Sequence, residues 1–515
     1  VGDRFVEAVA IAGNRIVAVG SDRDVLALKQ RATRVVELRG RSLLPGFIDA
    51  HCHVAFLGSF LAGINRKAPG MESIERIVAS IRARASIQPK GTWIRVSGYD
   101  QSRLVERRHP NRFDLDAASP DHPVAITRTC GHIRVFNTCA MELASVDDST
   151  PDPPGGRFDR ADGRNLGIAY EAAFAPFAKV SAPSVDEKRA DFLRAQEAYF
   201  AAGVTSVHDA GLLDLGLAQE LHSQGLVRLR IYALALDALG DTAGTRLVKS
   251  GVRTGFGDEW LRIGAYKVLA DGSSSGPTAA TRQPYASDPN DYGMLNVSQP
   301  ELDELLLRAH HAGFQLTAHA VGDRAIEATL AALASTTGAV PRSDLRHRIE
   351  HCAILPPDLQ RRVVSQGIIP IMQPAFLWEF GDGYIANYGR HRADVMFPVK
   401  SLVDRGVCVA GSSDAPVTDH RPLFGIQQAI TRRTAGGEVC GPYEIVDLQT
   451  AIRMHTINGA YASFEETRKG SIEVGKLADL VMLDEDIAQV PSEKLAQLPV
   501  AMTIGGGKVV YEASL

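Results

Sequence analysis

The stretch "QPELDELLLRAHHAGFQLTAHAVG", residues 299–322, reads as a helix running into a short β-rich segment, "FQLTAHAVG" (314–322). The same alternation recurs on both sides of it. Upstream lie the β-rich runs "GVTSVHDAG" (203–211), "RLRIYALAL" (228–236) and "LRIGAYKVLADG" (261–272), the first two separated by the helical "LDLGLAQELHSQG". Downstream, "RAIEATLAALA" reads as helix before "LRHRIEHCAIL" (345–355). "PPDLQRRVVSQG" begins with proline, closes with glycine and reads as helix before "IIPIMQP" (368–374) and "GVCVAGSSDAP" (406–416). These are seven strands separated by helices, and "LLPGFIDAHCH" (43–53) makes eight. The pattern predicts an α/β fold, a (β/α)8 TIM barrel. No Gly-x-Gly-x-x-Gly follows the first strand, which disfavours an open doubly wound sheet.

About 150 residues separate the first strand from the second, far more than one crossover needs. "TWIRVSGYD" (92–100), "HPVAITRTCGHIRVFN" (122–137) and the loop "DDSTPDPPGGRFDRADGRN" suggest an α/β insertion after barrel strand 1, over 59–183. "SVDEKRADFLRAQEAYFAAG" (184–203) then returns as a helix, with a Ser184/Glu187 capping box and a closing Gly203. The strands "AVAIAGNRIVAVG" and "TRVVELRGRSL" near the start, and "KLADLVMLD" and "MTIGGGKVVYE" near the end, predict a small β-sandwich built from both termini, 1–42 with 468–515. The barrel takes 43–58 and 184–467.

Composition narrows the partners. The 515 residues are 45% apolar and 23% charged, with a net charge of −4, so nothing marks a nucleic-acid binder. No run of 18 apolar residues exists to span a membrane, and the first twenty residues lack the basic and apolar regions of a signal peptide. Six cysteines (52, 130, 139, 352, 408 and 440) form no Cys-x-x-Cys and no disulfide framework, which suits reduced thiols in the cytoplasm. The expected partners are a small-molecule substrate and a second copy of the chain, as a homodimer.

In a barrel, functional side chains gather at the C-terminal ends of the strands. His51 and His53 point together there, since i and i+2 share a face of a strand. Lys267 stands out on the fourth strand, His319 on the fifth, His351 on the sixth and Asp414 on the eighth. Each alone has an ordinary reading: a hydrogen-bonded core histidine, a solvated or ion-paired lysine, an aspartate capping a helix. Together they predict a divalent-metal site, most simply Zn²⁺, with one or two ions. An ammonium repels a cation, so Lys267 fits only as a carbamate, formed with CO₂, whose two oxygens can bridge two ions. A bound ion would lower the pKa of its water toward 7 and polarise a carbonyl. Asp414 is a candidate to take that water's proton, unless it is a structural ligand only. His132, Gln373, Ser273 and Tyr99 are candidate substrate contacts; His208 and Asp209, ending the second strand, are candidate supports.

The chain resembles the metal-dependent amidohydrolase superfamily, and within it the YtcJ-like branch that includes N-substituted formamide deformylases. The resemblance rests on "LPGFIDAHCH", "YKVLADGSSSGPTAATRQPY", "LTAHAVGDRAIEATL", "RHRIEHCAIL", "QPAF", "GSSDAPV" and "GSIEVGKLADLVMLD", in that order, and covers about residues 8–512. It implies a carbamylated Lys267, metal ligands at His51, His53, His319, His351 and Asp414, and hydrolysis of non-peptide C–N bonds. Pro277 stands where many members carry arginine, in a loop expected to face substrate, so a different specificity is expected. Deaminases of the superfamily carry His-x-x-Glu after the fifth strand; the matching positions here read "HAVG". A lactonase or phosphotriesterase on the same site, and a metal-free scaffold, remain as alternatives.

Overall fold

All six side chains of Phe47–Cys52 are buried, and so are all six of Val204–Asp209. A strand covered on both faces suits a parallel sheet walled by helices. The structure, a computed structural model, describes residues 5–65, 72–101, 103–129, 131, 133–237 and 242–513. Eight parallel strands follow one another in space as they do along the chain: Phe47–Cys52, Val204–Asp209, Arg230–Asp237, Leu261–Leu269, Leu316–Ala320, Arg348–His351, Ile369–Met372 and Ala410–Gly411. The first and last meet where Asp414 N–H donates to the His51 carbonyl at 2.8 Å and His53 N–H donates to the Ala415 carbonyl at 2.9 Å. The sheet is thereby curled into the expected barrel, and its seam runs through candidate ligands.

Local signals set the helix ends. Ser298 N–H donates to Glu301 at 2.9 Å at the head of Gln299–His311. Pro357–Gln366 stops at Gly367, whose φ of +62° suits a residue without Cβ. Ser184 and Glu187 bond reciprocally at the start of Val185–Ala201.

The termini combine as a second sheet layer. Ala8–Ala12 and Arg15–Gly20 form a hairpin. Lys508–Glu512, Val500–Gly505, Leu480–Leu483 and Leu43–Pro45 form an antiparallel sheet in that spatial order. Ile16, Ala478 and Leu480 pack between them with Val9, Ile11 and Val19. One expected strand is corrected: of "TRVVELRGRSL" (33–43), only Leu43 lies in a strand. Val35 and Val36 are exposed among charged neighbours, and of 33–42 only Leu38 packs against the terminal sheet, so the segment lacks the alternating apolar face of a strand.

Residues 55–195 form a compact unit of their own. Its six strands run in the order Ile64–Asn65, Ile94–Tyr99, Val124–Arg128, Ile133–Phe136, Arg164–Glu171, Gly156–Ala161, over a core that includes Ile77, Ile81, Val96 and Ile126. Among the described residues, no helix is long and apolar enough to cross a membrane.

Candidate metal centre

Strand alternation carries His51 and His53 to one face and Lys267 and His319 stay within their strands, but the backbone leaves strand geometry around His351 and Asp414. His351 (φ +68°), Cys352 (+48°) and Asp414 (+55°) sit in the left-handed region. That region costs about 1–2 kcal/mol for each residue with a Cβ, and the neighbours hold it in place. Asp49 does so for Asp414. Its carboxylate accepts from Ser413 N–H at 2.9 Å and from the Ser413 hydroxyl. Burial pushes Asp49 up to about 7, against the pull of those bonds.

Four imidazoles form a row. Ring centres are 5.6 Å apart for His53 and His51, 4.9 Å for His51 and His351, and 4.5 Å for His351 and His319. Asp414 Oδ1 lies 3.4 Å from His51 Nε2 and 3.2 Å from His53 Nε2. Ligand atoms of His51, His351 and Asp414 all lie within 4.8 Å of one another, and all three residues are buried. Burial, followed by the Lys267 charge, pushes His51 down to about 3, so the ring is neutral at pH 7. Burial raises the Asp414 carboxyl, but the surrounding imidazoles more than offset it and hold the group below the usual carboxylate range. Lys267 is 3% exposed and makes no hydrogen bond or ion pair among the described residues. Burial lowers its pKa, while Glu350 and Asp414 oppose the shift. His319 Nε2 donates to the Gly272 carbonyl at 3.0 Å, beside Asp271.

The remaining candidates divide. Gln373, expected at the substrate, is fully buried: its Oε1 accepts from His351 Nδ1 at 2.9 Å and its amide donates to Ser412. It orients an imidazole rather than facing a ligand. Ser273 is half-buried in the loop after the fourth strand and accepts from Ser275 N–H. Tyr99 lies within the 55–195 unit, buried, its hydroxyl bonded to His109 at 2.9 Å. His132 lies outside the described residues. His208 meets Arg348, and Asp209 ties down the turn 211–213 through three N–H donors.

Sequence reading missed Asp49, Asp271, Arg348 and Glu350. Asp271 accepts from the N–H groups of Ala280, Val321 and Gly322 and laces the loops after the fourth and fifth strands together. The available signal was charge within or just after runs too apolar to face water, and such charges need partners.

A cation suits this arrangement. Asp414 Oδ1 and His53 Nδ1 are buried without a hydrogen-bond partner. Neutral imidazoles and a carboxylate are the donor set of zinc and its neighbours.

The amidohydrolase family model matches residues 34–511. The chain is 28% identical to the N-substituted formamide deformylase of Arthrobacter pascens, over 98% of this chain and 95% of that one. It is 28% identical to the putative amidohydrolase YtcJ of Bacillus subtilis, over 100% and 97%. An uncharacterized metal-dependent hydrolase of Pyrococcus horikoshii superposes with a TM-score of 0.78 at 26% identity, over 94% of each chain. With a matched span that takes in the whole barrel and nearly all of the antiparallel terminal sheet, the chain belongs to the amidohydrolase family.

Proposed function

We propose that this protein is a metal-dependent hydrolase of non-peptide C–N bonds in N-formyl, N-acyl or other amides. The observation that carries the reading is the convergence of the ligand atoms of His51, His351 and Asp414 on one buried point. His51, His53, His319, His351 and Asp414 would hold one or two zinc ions, and Lys267 would join them as its carbamate. When bound, the ion supplies a Lewis acid and a water of lowered pKa. The chain's own part is proton movement. Asp414 is ionised at neutral pH and is fixed by the seam bonds, so Oδ1 can accept a proton and return it to the departing nitrogen. Removal of such a group lowers rates about 10²- to 10⁴-fold.

The deformylase relative favours amides over esters or phosphoesters. A screen of N-formyl, N-acetyl and cyclic amides, lactones and phosphotriesters with the zinc-loaded protein tests the reading. Amide turnover that falls at least 10²-fold in Asp414→Asn supports it. Exclusive lactone or phosphotriester turnover, or full amide activity in the variant, contradicts it.

A further inference from the structure

Glu350 sits directly before His351, yet its carboxylate serves the first strand. Oε2 accepts from His51 Nδ1 at 2.5 Å and from Arg348 Nη2 at 3.0 Å. Oε1 accepts from Arg348 Nε at 2.9 Å and from the Thr317 hydroxyl at 2.7 Å. An ionised carboxylate offers about four acceptor positions, and here all are taken. The clamp is itself clamped: Arg348 donates to the Ala50 carbonyl at 2.7 Å and to His208 Nδ1 at 2.9 Å. These side chains rise from the first, second, fifth and sixth strands. The second and sixth lie across the ring from each other, so the Arg348–His208 contact carries the network across the barrel. Arg348 and Glu350 are both fully buried.

We propose that Glu350 is a positioning residue for metal capture: it fixes His51 in the tautomer that keeps its proton on Nδ1 and presents a bare Nε2 to the mouth. This rests on the metal-centre reading above. The chemistry is one of complementarity. An acceptor-only anion requires a donor from His51, so Nδ1 carries the hydrogen. With the hydrogen held on Nδ1, the lone pair for ligation falls to Nε2, which faces Asp414 Oδ1, an acceptor, at 3.4 Å. Two lone pairs set opposite each other suit a cation. An apolar neighbour in place of Glu350 would leave the proton free to move to Nε2, where it blocks ligation. Carboxylates behind metal-bound imidazoles are worth 10- to 100-fold in metal affinity.

The test reads tautomer and affinity rather than turnover. Nitrogen-15 spectra of the histidine rings in chelator-stripped, full-length wild type should place the His51 proton on Nδ1. The double variant Arg348→Met/Glu350→Leu removes both charges together, which spares the fold an unpaired buried ion. It should bind zinc about 10- to 100-fold more weakly in competition with a chromophoric chelator, at an unchanged circular dichroism spectrum. A wild-type His51 protonated on Nε2 overturns the proposal, as does a folded double variant that binds zinc within twofold of wild type. Should the double variant fail to fold, the wild-type spectrum alone decides. Wild type that takes up no zinc would sink the metal-centre reading instead, and the tautomer result would still be read separately.

Discussion

Arg230→Met should weaken the joint between the barrel and the terminal sheets by about 3–5 kcal/mol. Arg230 starts the third barrel strand and Asp479 directly precedes the sandwich strand Leu480–Leu483. Both side chains are nearly buried, at 2% and 4% exposure. Arg230 Nε donates to Asp479 Oδ2 at 2.7 Å and Nη2 to Oδ1 at 3.0 Å, while Nη1 reaches the Glu259 carbonyl at 3.0 Å. The guanidinium also lies over Trp260, 4.2 Å from the ring centre. Methionine fills much of the space but supplies no donor. Among the described residues, the Asp479 carboxylate then keeps one hydrogen bond, from Gly506 N–H at 2.8 Å, with Lys469 as a neighbouring charge, which is the situation that makes a half-removed pair expensive. Urea unfolding followed by Trp260 fluorescence, in a Trp93→Phe/Trp378→Phe background, reads the loss as a lower midpoint. Arg230→Met/Asp479→Leu should recover most of it, giving a coupling above about 2 kcal/mol. A single variant within about 1 kcal/mol of wild type, or a double variant no better than the single, would refute the reasoning.

Three further outcomes follow from the site. Burial pushes Asp271 from 3.8 up to about 7, against its three N–H donors. Because the folded value lies above the unfolded one, this group's stability contribution is complete below about pH 4 and is lost as pH rises through 7, by on the order of 4 kcal/mol. Urea midpoints of metal-stripped protein should therefore fall less between pH 4 and 8 in Asp271→Asn than in wild type. Gly411→Ala would set a Cβ 2.6 Å from Nε2 of the buried His455 ring, so the ring or the eighth strand beside Asp414 must give. A loss of about 1–3 kcal/mol in unfolding free energy, with weaker zinc uptake, is expected. Gln373→Leu strips His351 Nδ1 and Ser412 of a partner; about 1–3 kcal/mol of stability should go, together with about tenfold in zinc affinity by chelator competition.

The barrel was legible because its signals are local. Apolar β-rich runs recur between amphipathic helices, and capping residues such as Ser298 and Gly367 mark the ends where the helices stop. The row of imidazoles was legible because a barrel delivers strand ends to one mouth. Its support was not. Arg348 and Glu350 look alike as charges on a strand, and only the ring places them opposite His208 and beside His51. Gln373 ends its strand as a substrate-facing residue would, but His351 leaves strand geometry at φ +68° and meets its amide. Segment 33–43 misled because Val35 and Val36 carry β propensity without a face to cover.

Zinc binding by chelator-stripped protein tests the central claim most directly. Titration of the full chain, with bound metal counted by elemental analysis, should give one or two equivalents. His51→Asn and His351→Asn, each checked for an unchanged circular dichroism spectrum, should lose that uptake. Wild type that stays metal-free at saturating zinc, or folded variants that bind as much and as tightly as wild type, would contradict a metal centre built on these side chains.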